Sequence, residues 1–389
     1  MSDAQQRLAK LRQSIGEVSV EEALKIQNET GALIVDVRSR EELAKGSPVG
    51  AIALGRDFLE FEVTKLIPKR DTPILMLCGI GGRALFCAES LQNLGYSQVR
   101  SIKGGYTAWQ EKNLPTQIPR MLDAKAKDRY SRQLKLPEVD EKGQLRLLDS
   151  KVLLIGAGGL GSPIALYLAG AGVGTIGIVD HDVVERHNLQ RQIVHTDDRE
   201  GTLKVESAAL TLNALNPDIN IIQHNVYLTS DNIEAIFADY EIIVDGTDNF
   251  PTRYLVNDAC VKLKRPNVYG SVLHFDGQVS VFWPGKDKDP GPCYRCLYPL
   301  PPPAEMAPSC ADAGVLGVVP GVIGLLQATE VIKLLLEIGD PLVGRLLCYD
   351  ALDATFTEYK VASNPNCPVC AKDTPFPGYI DYVKFCANE

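Results

Sequence analysis

The chain has 389 residues with 49 acidic and 40 basic side chains, a net charge of −9, so it can bury two cores, and general binding to nucleic acid or an anionic membrane is disfavoured. Its opening stretch, MSDAQQRLAKLRQ, alternates charges and lacks the continuous apolar run of a secretory signal, which makes the cytoplasm the expected compartment. Four of the ten cysteines form two CxxC pairs, a pattern that in a large cytosolic chain points to metal rather than to disulfides.

Residues 14–118 read as a compact α/β domain. An apolar strand over 32–37 ends in Asp36-Val37-Arg38, and a second over 73–77 runs into Cys78-Gly79-Ile80-Gly81-Gly82-Arg83. A helix over 84–94, a strand over 99–102, and Lys103-Gly104-Gly105-Tyr106 leading into a helix through Trp109 complete the segment. Placed between strand and helix, Cys78 sits where glycine N–H groups curl around a sulfur, and the helix N-terminus with Arg83 would lower the thiol pKa and hold an anionic persulfide. The competing case is a buried strand-end thiol whose glycines only turn the chain. DVRSREE, the Cys78 to Arg83 loop and KGGYTAW together resemble the rhodanese family, in which the cysteine carries a transferable sulfur, and this C-x-x-x-x-R length resembles the sulfurtransferases rather than the related phosphatases. Ser47, in Gly46-Ser47-Pro48-Val49-Gly50-Ala51, stands where many members have histidine, with no effect expected on the sulfur chemistry.

Residues 119–127 read as a linker, and 128–371 as a second domain that opens with Arg129-Tyr130-Ser131-Arg132-Gln133. Its organising stretch is KVLLIGAGGLGSPIALYLAGAGVGTIGIVD, from Lys151 to Asp180. Long enough to span a bilayer, it is broken by eight glycines and Pro163 where a strand, a turn, a helix over 162–169 and a second strand over 175–179 need them. Gly156, Gly158, Gly159 and Gly161 let the turn backbone approach a phosphate, and Asp180 at the next strand end suits a ribose hydroxyl. The same loop serves NAD, FAD and ATP, so the residues that follow must discriminate. Asn188-Leu189-Gln190-Arg191-Gln192 and Lys204 bring basic side chains that suit a triphosphate better than a dinucleotide. A strand over 241–244 then leads into Asp245-Gly246-Thr247-Asp248-Asn249-Phe250 and Arg253, an ordinary capping loop unless the acids face a ligand; Asp245 in particular suits a cap.

RYSRQ, GAGGLG, the NLQRQ run, Lys204 and GTDNFPTR, in this order, resemble the MoeB/ThiF adenylating family, relatives of the ubiquitin-activating enzymes. The resemblance implies that Asn188, Arg191, Lys204 and Asn249 contribute to an ATP site, that Asp248 binds magnesium, and that Arg132 reaches into the other subunit's site in a homodimer. Cys293-x-x-Cys296 and Cys367-x-x-Cys370 can present four thiolates to one tetrahedral zinc, a redox pair being the alternative for either alone, and the family has this zinc. Cys310, on a proline-flanked loop, would by the same resemblance form a covalent link to the carrier protein; Cys87, Cys260, Cys348 and Cys386 read as core or surface thiols. Residues 321–336 read as a buried helix rather than a membrane span, and the tail 372–389 has no assignment.

The expected fold class is α/β: an N-terminal rhodanese-like domain followed by a Rossmann-like, doubly wound ATP-binding domain with a structural zinc site. The expected activity is ATP-dependent adenylation of a ubiquitin-like sulfur carrier ending in Gly-Gly, of the molybdopterin synthase small subunit type, followed by persulfide transfer to give a thiocarboxylate. Thiosulfate or a cysteine desulfurase would supply the sulfur. An NAD-binding redox enzyme or sensor, and an activator in a ubiquitin-like conjugation pathway, are the alternatives.

Overall fold

The computed structural model describes residues 3–302 and 314–387, and the chain divides into two compact units, Met1–Met121 and Leu122–Glu389. In the first, five parallel strands lie in the order Glu17–Val18, Val99–Ile102, Ile74–Leu77, Leu33–Asp36 and Ile52–Ala53. Side chains alternate across the sheet, so Ile74, Met76 and Cys78 enter one core while Leu75 and Leu77 enter the other. Helix Asp3–Ser14 belongs to this unit, since Leu11 and the adjoining Ile15 are buried in the same core as Cys78. The unit thus starts earlier than the domain expected from position 14, because a weakly apolar helix with charges around it gives little sequence signal.

The second unit is built on eight strands in the order Asn220–His224, Thr175–Val179, Lys151–Ile155, Ile242–Asp245, Asn267–Leu273, Asp276–Phe282, Arg345–Asp350 and Thr355–Lys360. The first five are mutually parallel and the last four antiparallel, sharing Asn267–Leu273. Helix Gly161–Ala171, longer at both ends than expected, packs on this sheet beside helix Val318–Leu336, which also lies on the sheet. Gly324 permits the approach, for a Cβ there would lie 2.7 Å from Pro163 Cγ and 2.8 Å from the Leu160 carbonyl. Val318–Leu336 is long and apolar enough to cross a membrane. Here it packs as a core helix, with Val319, Ile323 and Val331 buried and the Gln327 amide donating to the carbonyls of Asp245 and Val268.

The segment expected as a linker is folded from its second half onward. Asp123 caps helix Ala124–Arg129 by accepting the Ala126 N–H, and Lys125 pairs with Asp218. The tail is folded too: helix Tyr382–Ala387 packs on helix Phe250–Lys262, with Tyr382 and Phe385 in its core. A helix of six residues behind Pro377-Gly378 is too short to show a clear period in the sequence.

Candidate functional sites

In the first unit, strand Ile74–Leu77 delivers Cys78 to the start of helix Gly82–Asn93. The Cys78 sulfur is fully buried and accepts N–H groups from Gly81 at 3.2 Å and Ala84 at 3.3 Å. Gly105 closes the other side of the loop, with φ +59 and a notional Cβ only 2.2 Å from the Cys78 carbonyl oxygen, so any side chain there would displace the cysteine. Arg83 is turned to a different partner than the sulfur alone. Its guanidinium grips both oxygens of Glu42, at 2.7 and 2.5 Å, and this hydrogen bonding holds the Glu42 carboxyl down to about 2. Asp36 and Arg38 of the DVR motif form a buried pair at 2.6 Å, and the Ser47 hydroxyl donates to Asp36 at 2.7 Å. Arg38 also lies 3.7 Å over the Tyr106 ring, so these motif residues brace the loops around Cys78.

In the second unit an open cleft lies at the C-terminal ends of the parallel strands, where ligand sites of such sheets occur. Its wall includes Gly156, Gly158, Gly159, Asp180, Arg191, Lys204, Asp248 and Asn249. Gly156 has φ +95, and Gly161, which is outside the wall, packs so closely that a Cβ would sit 2.0 Å from the Gly156 oxygen. The half-buried Asp180 carboxylate accepts the Ala157 N–H at 2.8 Å and the Asp182 N–H at 2.9 Å, which locks it to both the glycine turn and its own strand end. Buried Lys204, first residue of helix Lys204–Leu215, holds Asp182 at 3.0 Å. Asn188 is buried behind the wall and accepts from Arg191 at 3.3 Å, orienting that side chain. Asn249 caps helix Phe250–Lys262 through the Thr252 N–H, and Asp248 beside it is exposed to the cleft. Asp245 is buried and bonded to the Thr247 N–H and hydroxyl, consistent with a turn-capping role. Exposed Arg132 is not part of the wall.

Other contacts in and behind the wall carried no sequence signal. His195 bridges the Ala157 carbonyl and Ser207, with its pKa lowered by burial, and so ties the glycine turn to helix Lys204–Leu215. Val226, Tyr227 and Leu228 form an apolar side of the cleft from a loop that carries no motif. Arg253, already singled out in the sequence, binds the Thr247 carbonyl and the Ser271 hydroxyl, each at 2.9 Å, pinning the loop that bears Asp248. Two buried wall atoms, Arg253 Nε and Gln192 Oε1, lack a hydrogen-bond partner among the described residues, the condition expected of a wall shaped for a polar ligand.

The two CxxC pairs meet. All four sulfurs lie within 4.8 Å of one another, with Cys293–Cys367 at 3.6 Å, Cys293–Cys296 at 3.9 Å and Cys296–Cys370 at 3.4 Å. A tetrahedral site with metal–sulfur bonds of about 2.3 Å has edges of about 3.8 Å, so the arrangement fits one metal ion and is far from disulfide geometry. The Asn364 N–H donates to Cys296 at 3.3 Å, a further orienting contact. Burial raises the thiol pKa of Cys87 and Cys386 to about 11, and also raises those of Cys260 and Cys348, which suits inert thiols. Cys310 lies outside the described residues.

The chain matches the ThiF family over residues 130–369 and the rhodanese-like domain over residues 19–112. It is 50% identical over 260 residues to the sulfur carrier protein adenylyltransferase of Thermus thermophilus, covering 67% of this chain and 96% of that relative. It is 49% identical over 267 residues to the SAMP-activating enzyme E1 of Haloferax volcanii, covering 68% and 97% respectively. Against the adenylyltransferase and sulfurtransferase MOCS3 of Aedes aegypti it is 50% identical over 260 residues, 67% of this chain but 59% of the relative. Among solved structures, E. coli MccB with AMPCPP and SeMet MccA superposes with a TM-score of 0.55 at 22% identity, covering 63% of this chain and 74% of that one, a likeness of fold.

Proposed function

Because the chain belongs to the ThiF family and carries a rhodanese-like domain ahead of the matching region, we propose that it adenylates the C-terminal glycine of a ubiquitin-like sulfur carrier and then supplies that carboxyl with sulfur. The observation that carries this reading is the convergence of the glycine turn, Asp180, Arg191, Lys204 and Asp248 on one cleft. Asp180 takes the ribose of ATP and the turn N–H groups the phosphates. A carrier ending in Gly-Gly brings its carboxylate to the α-phosphate; the new P–O bond forms as the bond to pyrophosphate breaks, and the product is an acyl-adenylate. Arg191 and Lys204 neutralise the charge that develops on the leaving phosphates, with Lys204 exchanging its Asp182 partner for phosphate. Magnesium, bound with ATP, supplies further charge neutralisation, and Asp248 is the carboxylate that would hold it. Arg132 completes the neighbouring subunit's site in a homodimer, and zinc in the four-cysteine cluster is structural.

The terminal sulfur of a persulfide on Cys78 next attacks the activated carbonyl, AMP leaves, and an acyl disulfide joins carrier to Cys78. A second thiol, Cys310 or an external reductant, attacks the Cys78 sulfur and releases the carrier as a thiocarboxylate, leaving a disulfide to be reduced. The Gly81 and Ala84 N–H groups hold the Cys78 sulfur in place at the start of the helix through these exchanges. Thiosulfate or a cysteine desulfurase provides the persulfide, and the reaction belongs in the cytoplasm. Exchange of labelled pyrophosphate into ATP tests the first half: it is expected only with a Gly-Gly carrier present, and exchange without any carrier refutes the scheme.

A further inference from the structure

Helix Phe250–Lys262 begins at the cleft, where Asn249, Thr252 and Arg253 belong to the wall. Further along, the same helix is bonded to the segment bearing the first cysteine pair. Tyr254 donates to the Tyr298 carbonyl at 3.0 Å, Asn257 accepts the Tyr294 N–H at 2.7 Å, and Asp258 forms a buried two-pronged pair with Arg295 at 2.8 Å on each oxygen. Arg295 lies between Cys293 and Cys296, so its position fixes that of the knuckle.

A carboxylate offers about four acceptor sites. Arg295 fills two of those on Asp258, and the Asn257 amide a third at 2.9 Å. The fourth is filled from the tail, by the Tyr382 hydroxyl at 2.8 Å. The tail also supplies the second aromatic face of Arg295, whose guanidinium carbon lies 4.7 Å from the Tyr254 ring and 4.9 Å from the Phe385 ring. Phe376 and Tyr379 place their rings 5.3 and 5.4 Å from the Lys262 ammonium at the last turn of the same helix. The family match ends at residue 369, before all four of these aromatic residues.

We infer that Tyr382, Phe385 and the segment carrying them are positioning elements: they seal the Asp258–Arg295 pair from water and so couple the four-cysteine cluster to the helix that walls the nucleotide cleft. The cleft half of this inference rests on the adenylation reading; the cluster half does not. Without the strap, Asp258 loses one of its four donors and Arg295 one of its two aromatic faces, which frees the knuckle from the helix and the helix start from the cleft.

The test uses the full-length, zinc-loaded chain, its Tyr382→Phe variant, and a chain ending at Lys372, which keeps all four cysteines. Zinc release to a competing chelator and binding of ATP are measured separately, neither needing the carrier. Loss of one hydrogen bond to a charged group should speed zinc release by Tyr382→Phe roughly tenfold and weaken ATP binding severalfold. In pyrophosphate exchange the change should appear in KM for ATP and not in kcat. The shortened chain should show larger shifts of the same kind, reversed by adding a peptide of residues 373–387. Wild-type zinc release in both altered proteins would overturn the inference, and so would faster zinc release with unchanged ATP affinity, because a purely structural tail gives that result. Wild-type protein that bound no ATP would instead overturn the adenylation reading, and zinc release would still decide the strap.

Discussion

Helix Gly161–Ala171 contains two glycines whose replacement by alanine should have opposite effects. At Gly161 the added Cβ would lie 2.0 Å from the Gly156 carbonyl oxygen, more than 1 Å inside an ordinary contact, and 2.9 Å from its carbon, and both clashes are with backbone. Gly156 sits at φ +95 beneath Gly246, where its own Cβ position is already 3.1 Å from a carbonyl oxygen, so the turn cannot retreat without moving strand Ile242–Asp245 as well. Gly161→Ala should therefore cost about 1–3 kcal/mol of stability, as overpacking in a close-fitted core does, and should weaken ATP binding by at least an order of magnitude, because the displaced atoms are those of the turn proposed to hold the phosphates. Gly170 has nothing within 4 Å of its Cβ position and faces solvent near the end of the same helix. Gly170→Ala should raise stability by up to about 0.5 kcal/mol and leave ATP binding unchanged. Thermal unfolding followed by circular dichroism, with and without ATP, reads both quantities. If Gly161→Ala bound ATP as tightly as wild type, the loop would not be held by this contact and its place in the site would have to be abandoned.

Cys78→Ala should support carrier-dependent pyrophosphate exchange while forming no thiocarboxylate from thiosulfate; Lys204→Ala should lose exchange yet still release sulfite from thiosulfate with cyanide as acceptor. Loss of exchange in Cys78→Ala with an intact fold would show that the two halves are not separable. Cys293→Ser should lower the bound zinc well below one per chain and destabilise the second unit, measured by elemental analysis and by unfolding, since it removes one ligand of a closed site. Glu42 has its folded pKa depressed from 4.5 to about 2 by Arg83, so its stabilisation is complete above about pH 4.5 and is lost as pH falls toward 2. With both side chains more than a third exposed, or nearly so, the pair should be worth less than about 1 kcal/mol, and Glu42→Gln should leave the first unit's stability flatter across that acid range than wild type. Mixing inactive Arg132→Ala with inactive Asp248→Ala should restore part of the exchange activity after subunit exchange; no recovery would put Arg132 in its own subunit's site.

Both glycine-rich loops were legible as loops because glycine marks backbone that must turn or be approached closely, and Gly156, Gly161 and Gly105 each prove to sit where a side chain would crowd a carbonyl. The cysteine pairs were legible for a related reason: each pair is local, and only their meeting needed the fold. Helix ends were less so, since Gly161–Ala171 and Val318–Leu336 run on past the periodic residues into positions satisfied by tertiary packing. What stayed hidden were pairings across long sequence distance. Glu42 reaches Arg83 over 41 residues, Gln327 reaches the Asp245 carbonyl over 82, and Tyr382 reaches Asp258 over 124. No local pattern announces such contacts, and the apolar cleft side from Val226 to Leu228 is equally silent because its residues gain a role only from the strand order.

The four-cysteine cluster also bears on how the chain assembles. Cys293 and Cys367 are 74 residues apart, as are Cys296 and Cys370, and two long strands, Arg345–Asp350 and Thr355–Lys360, lie between the pairs. Before that hairpin forms, each pair is a separate half-site that closes only a short loop, and bringing the halves together carries the entropy of a long one. Metal present from the start of refolding can therefore also join half-sites on different molecules, and at high protein concentration it should cross-link some chains into aggregates that a chelator dissolves. Metal added after the antiparallel strands have paired should find its four sulfurs already gathered, so the yield of monomer-derived native protein should depend on the order of addition.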